Sequence, residues 1–110
     1  MTKAEAEPGD VLVLTKPLGT GIILAGQMQG RARARWLMAA IDSMRRTNRV
    51  AADVFRAHGI LACTDVTGFG LLGHLIEMLT ASGVGAVVNP DLVPVLPGAQ
   101  EVEINWREPV

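Results

Sequence analysis

Ile60-Leu61-Ala62-Cys63-Thr64-Asp65-Val66-Thr67-Gly68-Phe69-Gly70-Leu71-Leu72-Gly73-His74 decides the fold of this chain. Residues 60–64 are apolar and end on a hydroxyl, which predicts a buried strand. Asp65 to Gly70 is a loop in which two glycines free the backbone for a tight turn. Leu71, Leu72, Leu75, Ile76 and Leu79 then recur at helical spacing and predict a helix ending near Ser82-Gly83. A strand, a glycine loop and a helix in that order form an α/β unit.

Outward from this unit the same alternation continues. Upstream, Pro8-Gly9-Asp10 is a turn signal, and Val11-Leu12-Val13-Leu14-Thr15 reads as another buried strand. Lys16-Pro17-Leu18-Gly19-Thr20-Gly21 breaks it, and a short apolar helix is expected from Ile22 to Gln29, closed by Gly30. Residues 32–46 have helical spacing, with Leu37, Ala40, Ile41 and Met44 on one face and Trp36 beside it. Asn48 is placed to cap a further helix with Ala51, Val54 and Phe55 inward, ending at Gly59. Downstream, Val84 to Val88 reads as a third strand. Beyond Asn89, prolines at 90, 94, 97 and 109 interrupt every periodic segment, apart from a short helix expected after Pro97-Gly98. The fold class is α/β (α+β), a small sheet packed with helices. The expected organisation is a polar tail over 1–8, a domain over 9–100 and a divergent or truncated tail over 101–110. Three strands are few for a self-sufficient sheet, so the chain is expected to be a piece of a larger domain or to pair its edges with another chain.

Composition sets outer limits. A chain of 110 residues holds one small domain. Its net charge of −1 gives no bulk attraction to nucleic acid or acidic membranes. The single cysteine excludes an intramolecular disulfide and a cysteine-rich zinc site, and fits a cytoplasmic location. No apolar run approaches the ~20 residues that span a bilayer.

The chemistry gathers at the 64–74 loop. In open sheets, ligands collect where strands end and helices begin. A helix N-terminus offers free N–H groups and partial positive charge to an anion. Asp65 beside it is an oxygen ligand suited to Mg²⁺, and Thr67, Gly68 and Gly70 are candidates for contact with a phosphate-bearing cofactor. The competing reading makes Asp65 a cap of the following helix, with the glycines serving only the turn.

Thr64 to His74, together with Thr15-Lys16-Pro17-Leu18-Gly19-Thr20-Gly21, the Asn48 region and Leu96-Pro97-Gly98, resembles the selenophosphate synthetase (selenide, water dikinase) family. The resemblance covers about residues 9–100. It implies the first part of a C-terminal domain of the aminoimidazole ribonucleotide synthetase-like type. That family makes selenophosphate from selenide, ATP and water, releasing AMP and phosphate, as homodimers of two α/β domains. The resemblance implies that ATP and Mg²⁺ bind mainly on an N-terminal domain, and that Asp65 matches the C-terminal aspartate that completes the metal site. The family's reactive cysteine or selenocysteine and its catalytic lysine belong to that N-terminal segment, so no catalytic residue is assigned here. The chain alone is therefore expected to be an inactive part of an ATP-dependent phosphotransferase. The alternatives are a non-catalytic interaction or dimerisation module of the same fold, or another ATP-dependent member of the superfamily.

The other reactive side chains have plainer readings. Cys63, inside an apolar strand, reads as a small hydrophobe. Lys16 is expected to be solvated or to form an inter-domain ion pair, with phosphate contact as the alternative. His74 reads as a partly buried structural histidine, the alternative being a general acid. His58 is expected to meet the end of its own helix. The arginines at 31, 33, 35, 45, 46, 49 and 56, opposed by Asp42 and Asp53, read as a solvated face. They come without the aromatic platforms or motifs of nucleic-acid binding. Glu101 and Glu103 read as part of an exposed tail.

Overall fold

The computed structural model describes residues 1–105. Four α-helices form where helical spacing predicts them: α1 (Thr20–Met28), α2 (Ala34–Arg45), α3 (Arg49–Ala57) and α4 (Gly70–Ser82). Three of them stop by the same local device. Gly30, Gly59 and Gly83 take positive φ of 70°, 67° and 68° just past the ends of α1, α3 and α4. The next N–H then reaches back into the last turn: Arg31 to the Gly26 carbonyl at 2.7 Å, Ile60 to Phe55 at 3.0 Å, and Val84 to Leu79 at 3.1 Å. These bonds satisfy carbonyls that a helix end leaves unpaired.

The strands differ from expectation. Among the described residues the runs at 11–15, 60–64 and 84–88 form no ladder, and there are only two isolated parallel bridges, Thr2 with Ala62 and Leu18 with Val95. Val11, Val13 and Val87 are 84%, 72% and 97% exposed. The physical reason is that β-branched side chains favour a pleated, half-buried surface but do not supply the neighbouring strand that a ladder needs. The short helix expected after Pro97-Gly98 is instead a turn, in which Glu101 and Val102 donate to the Gly98 carbonyl at 3.2 and 2.9 Å. A 3-10 turn at Pro90–Leu92 opens with the Asn89 side chain accepting from the Asp91 N–H at 3.0 Å.

The chain divides into two compact units. One joins Leu14–Thr47 to the residues from Asn89 onward. Here α1 packs on α2. The core holds Ile23 and Ala40, both fully buried, with Leu96 and Val102, flanked by Ile22, Trp36, Ala99 and Ile104. Met44, expected on the inner face of α2, is exposed. The Leu18–Val95 bridge ties the start of the unit to its end through Leu18 N–H to Pro94 (2.9 Å) and Leu96 N–H to Leu18 (2.8 Å). Gln29 clasps the Asn105 backbone with two 2.8 Å bonds, donating one and accepting the other. Gly98 is buried against Trp36, with φ +86°, and a Cβ placed there would overlap the indole ring.

The other unit joins Met1–Val13 to Asn48–Val88. Its helices are α3 and α4, and its buried residues are His74, Leu75 and Met78 on one face of α4. Val54, expected inward on α3, is exposed, and Asn48 makes no side-chain cap bond. His58 meets the end of its own helix as expected, its Nδ1 2.9 Å from the Val54 carbonyl.

Residues 1–8, read from sequence as a tail, carry specific bonds. The Thr2 N–H donates to Leu61 at 2.8 Å, and Cys63 N–H donates to Thr2 at 3.0 Å. Ser82 Oγ accepts from Ala6 and donates to the Lys3 carbonyl, each at 3.1 Å. Lys3 pairs with Glu77 on α4. The hydrogen bond with Glu77, and then attraction to its charge, hold the Lys3 ammonium above its ordinary 10.5. The same bond and the Lys3 charge hold Glu77 below its ordinary 4.5. The pair's contribution is therefore fully present between those two values. It is lost as pH falls through the lowered Glu77 value, and again as pH rises through the raised Lys3 value. Hydrogen exchange at the Cys63 amide is expected to lose protection in acid below the ordinary carboxylate range, and Glu77→Gln is expected to abolish that acid step. Both groups are solvent-exposed, so the effect is small and weakens with added salt.

Candidate functional site

The 64–74 segment forms the N-terminal end of α4. Gly70 opens the helix at φ +79°, its N–H donating to the Thr67 carbonyl at 2.9 Å. Gly70 thus makes the turn expected of the glycine pair, whereas Gly68 keeps an ordinary φ. Phe69 occupies the cap position and offers no side-chain acceptor, and no acidic residue stands in the first turn. The reading of Asp65 as the cap of α4 is therefore not what forms. Beyond the Gly70 N–H, the first-turn N–H groups of this 13-residue helix receive no side-chain cap.

Asp65 is exposed, and its carboxylate has no hydrogen-bond partner among the described residues. Its negative charge acts on Lys3 and on Glu77, as a lesser influence beside the bond those two share. A bare carboxylate next to an uncapped helix end is a hard oxygen donor of the type Mg²⁺ takes. No group of three or more metal-ligating side chains occurs among the described residues. Asp65 thus offers one oxygen donor, with no further set of ligating side chains around it among the described residues.

Thr67 is exposed on its outer side, while its Oγ1 lies 2.9 Å from His74 Nε2. His74 is buried, as expected for a structural histidine, and the edge of the exposed Phe69 ring stands 5.7 Å away, centroid to centroid. The Thr67–His74 link was not read from the sequence. A hydroxyl seven residues before a histidine, across a helix start, is the signal that would have found it.

The remaining candidates resolve into structural roles. Among the described residues Lys16 makes no ion pair, and it is tied to backbone rather than left to solvent. Its Nζ donates to the Ser43 and Arg46 carbonyls at 3.1 and 2.8 Å, closing the C-terminal end of α2. A cation there also complements the helix dipole. Cys63 is half-buried. Arg56 pairs with Asp53 at 3.2 Å. Arg33 lies over Trp36 at 5.3 Å, and Arg33, Arg35 and Glu101 share an open surface groove with Trp36. Glu103 lines its continuation with Arg31. Trp106–Val110, part of the expected divergent tail, lie outside the described residues.

Residues 7–107 match the C-terminal domain of AIR synthase related protein, and this chain belongs to that family. Similar curated proteins include selenide, water dikinases. That of Caldanaerobacter subterraneus subsp. tengcongensis is 42% identical over 97 residues, covering 88% of this chain and 28% of the relative. Those of Myxococcus xanthus and Pelobacter propionicus are 44% and 45% identical, covering 87% and 92% of this chain and 28% and 29% of the relatives. The chain thus spans less than a third of the length of the relatives it matches. No solved structure matches it.

Proposed function

We propose that this chain is the leading part of the C-terminal domain of a selenide, water dikinase, and that it completes an ATP–Mg²⁺ site held mainly by an N-terminal ATP-binding domain. The similarity to selenide, water dikinases along most of the chain carries this reading. In it, Asp65 is one ligand of Mg²⁺. Thr67 and the backbone around Gly68 and Gly70 face the phosphates of ATP. Selenide is the acceptor substrate, and selenophosphate, AMP and phosphate are the products. Bound Mg²⁺ would supply charge stabilisation at the transferring phosphoryl group. The chain's own part is to position one carboxylate and a set of N–H donors. The whole enzyme is cytoplasmic and homodimeric in this reading, with no nucleic-acid or membrane partner. The β-branched runs at 11–15, 60–64 and 84–88 join a small sheet once neighbouring strands are present.

Calorimetric titration with ATP and Mg²⁺ tests the composite site. The chain alone is expected to bind neither tightly. Mixed with the ATP-binding domain of a similar dikinase, it is expected to give tight binding and selenide-dependent AMP release. Tight nucleotide binding by the chain alone would place a complete phosphate site within it and overturn the composite reading.

One observation favours a second reading, a non-catalytic packing module. Phe69, Leu72 and Ile76, on and just before α4, are all large, apolar and exposed. An exposed apolar stripe marks an interaction surface.

A further inference from the structure

His74 has two ring nitrogens in different situations. Nε2 lies 2.9 Å from Thr67 Oγ1, while Nδ1 is buried with no hydrogen-bond partner among the described residues. The residue as a whole is buried, with 7% exposure. Two proton placements satisfy the Thr67 contact. If the hydroxyl donates to Nε2, the neutral ring carries its proton on Nδ1, where a buried donor has no acceptor. If Nε2–H donates to the hydroxyl, Nδ1 presents only a lone pair. Orphaned buried donors are rarer in native proteins than under-satisfied acceptors, so the second placement is the stable one.

The consequence falls on Thr67. With its oxygen accepting from His74, its own O–H proton has no acceptor among the described residues, and the residue is exposed. Its carbonyl is fixed as well, by the Gly70 N–H at 2.9 Å. The hydroxyl therefore stands at the uncapped start of α4 as a committed donor, beside N–H groups that are also donors. Resting on the function proposed above, we infer that His74 is a positioning residue, holding Thr67 as an outward O–H donor to a phosphate oxygen at the start of α4.

Two measurements test this. The first uses the unmodified chain: ¹⁵N NMR of the His74 ring at neutral pH is expected to show the proton on Nε2. A proton on Nδ1 would overturn the inference whatever the chain's function. The second uses the complete enzyme carrying this domain. Thr67→Val and His74→Leu are each expected to raise the KM for ATP about tenfold, as loss of one hydrogen bond does. The double variant is expected to be no worse than either single one, and His74→Gln, which keeps an N–H donor, to recover most of the loss. Effects of Thr67→Val and His74→Leu that multiply, or a KM unmoved by Thr67→Val, would refute positioning through Thr67. Thr67 is exposed, so its variant reports even where His74→Leu disturbs folding. Failure of the dikinase reading is distinguishable: it would appear as no selenide-dependent ATP turnover by the complete protein, with the ring proton still on Nε2.

Discussion

Replacing Asp65 by Asn is expected to lower selenide-dependent ATP turnover of the complete enzyme about a thousandfold while leaving the fold intact. The substitution keeps the side chain's shape and removes its charge. Asp65 is exposed and its carboxylate forms no hydrogen bond among the described residues, so folding has little to lose. Surface substitutions of this kind shift stability by within about 0.5 kcal/mol. Catalysis has more to lose. A metal ion acting on a phosphoryl oxygen supplies several kcal/mol, and each ~1.4 kcal/mol is tenfold in rate. Loss of one anionic ligand also weakens the metal itself, so the Mg²⁺ concentration for half-maximal rate should rise. The two measurements are steady-state turnover against Mg²⁺ and a thermal melt. Unchanged turnover in a folded variant would remove Asp65 from the metal site.

Gly98→Ala is expected to cost about 2–5 kcal/mol of stability, the largest effect of a single methyl in the chain. Two costs combine. At φ +86° a residue with a Cβ is strained by roughly 1–2 kcal/mol. The added methyl also overlaps the Trp36 ring, and forcing extra volume into a packed core costs about 1–3 kcal/mol. The indole shares the core of Ile23, Ala40, Leu96 and Val102, so its displacement spreads. Denaturant unfolding followed by tryptophan fluorescence measures the loss. Adding Trp36→Leu to Gly98→Ala should relieve the overlap but not the backbone strain, so the two substitutions should be markedly non-additive. A midpoint unchanged by Gly98→Ala would refute the close approach of residue 98 to the ring.

The helices were legible because their signals are local. Leu37, Ala40 and Ile41 share a face whether or not a partner is known, and Gly30, Gly59 and Gly83 mark ends that form from bonds within six residues. The loop before α4 was legible for the same reason: an aspartate, a hydroxyl and glycines adjoin in sequence. What failed was what depends on distant residues. Val11 to Thr15 has the composition of a strand, but a ladder is a property of two segments. Lys16 could not be assigned to the end of α2 without knowing that Ser43 and Arg46 return to it. Nor does any sequence signal bring Gly98 to Trp36. His74 lies between the two cases. Its burial was readable from the spacing of α4, but the direction of its proton was not, since that follows from what Nδ1 lacks.

The shared glycine ending of α1, α3 and α4 has a consequence for how the chain tolerates change. At Gly30, Gly59 and Gly83 an added Cβ would meet nothing within 4 Å. Their requirement is conformational and owes nothing to neighbours. Each helix thus carries its own full stop, written within one turn and readable before any tertiary partner arrives. Surfaces on either side are free to drift in sequence, or to accept new partners, without shifting the register of the helices that display them.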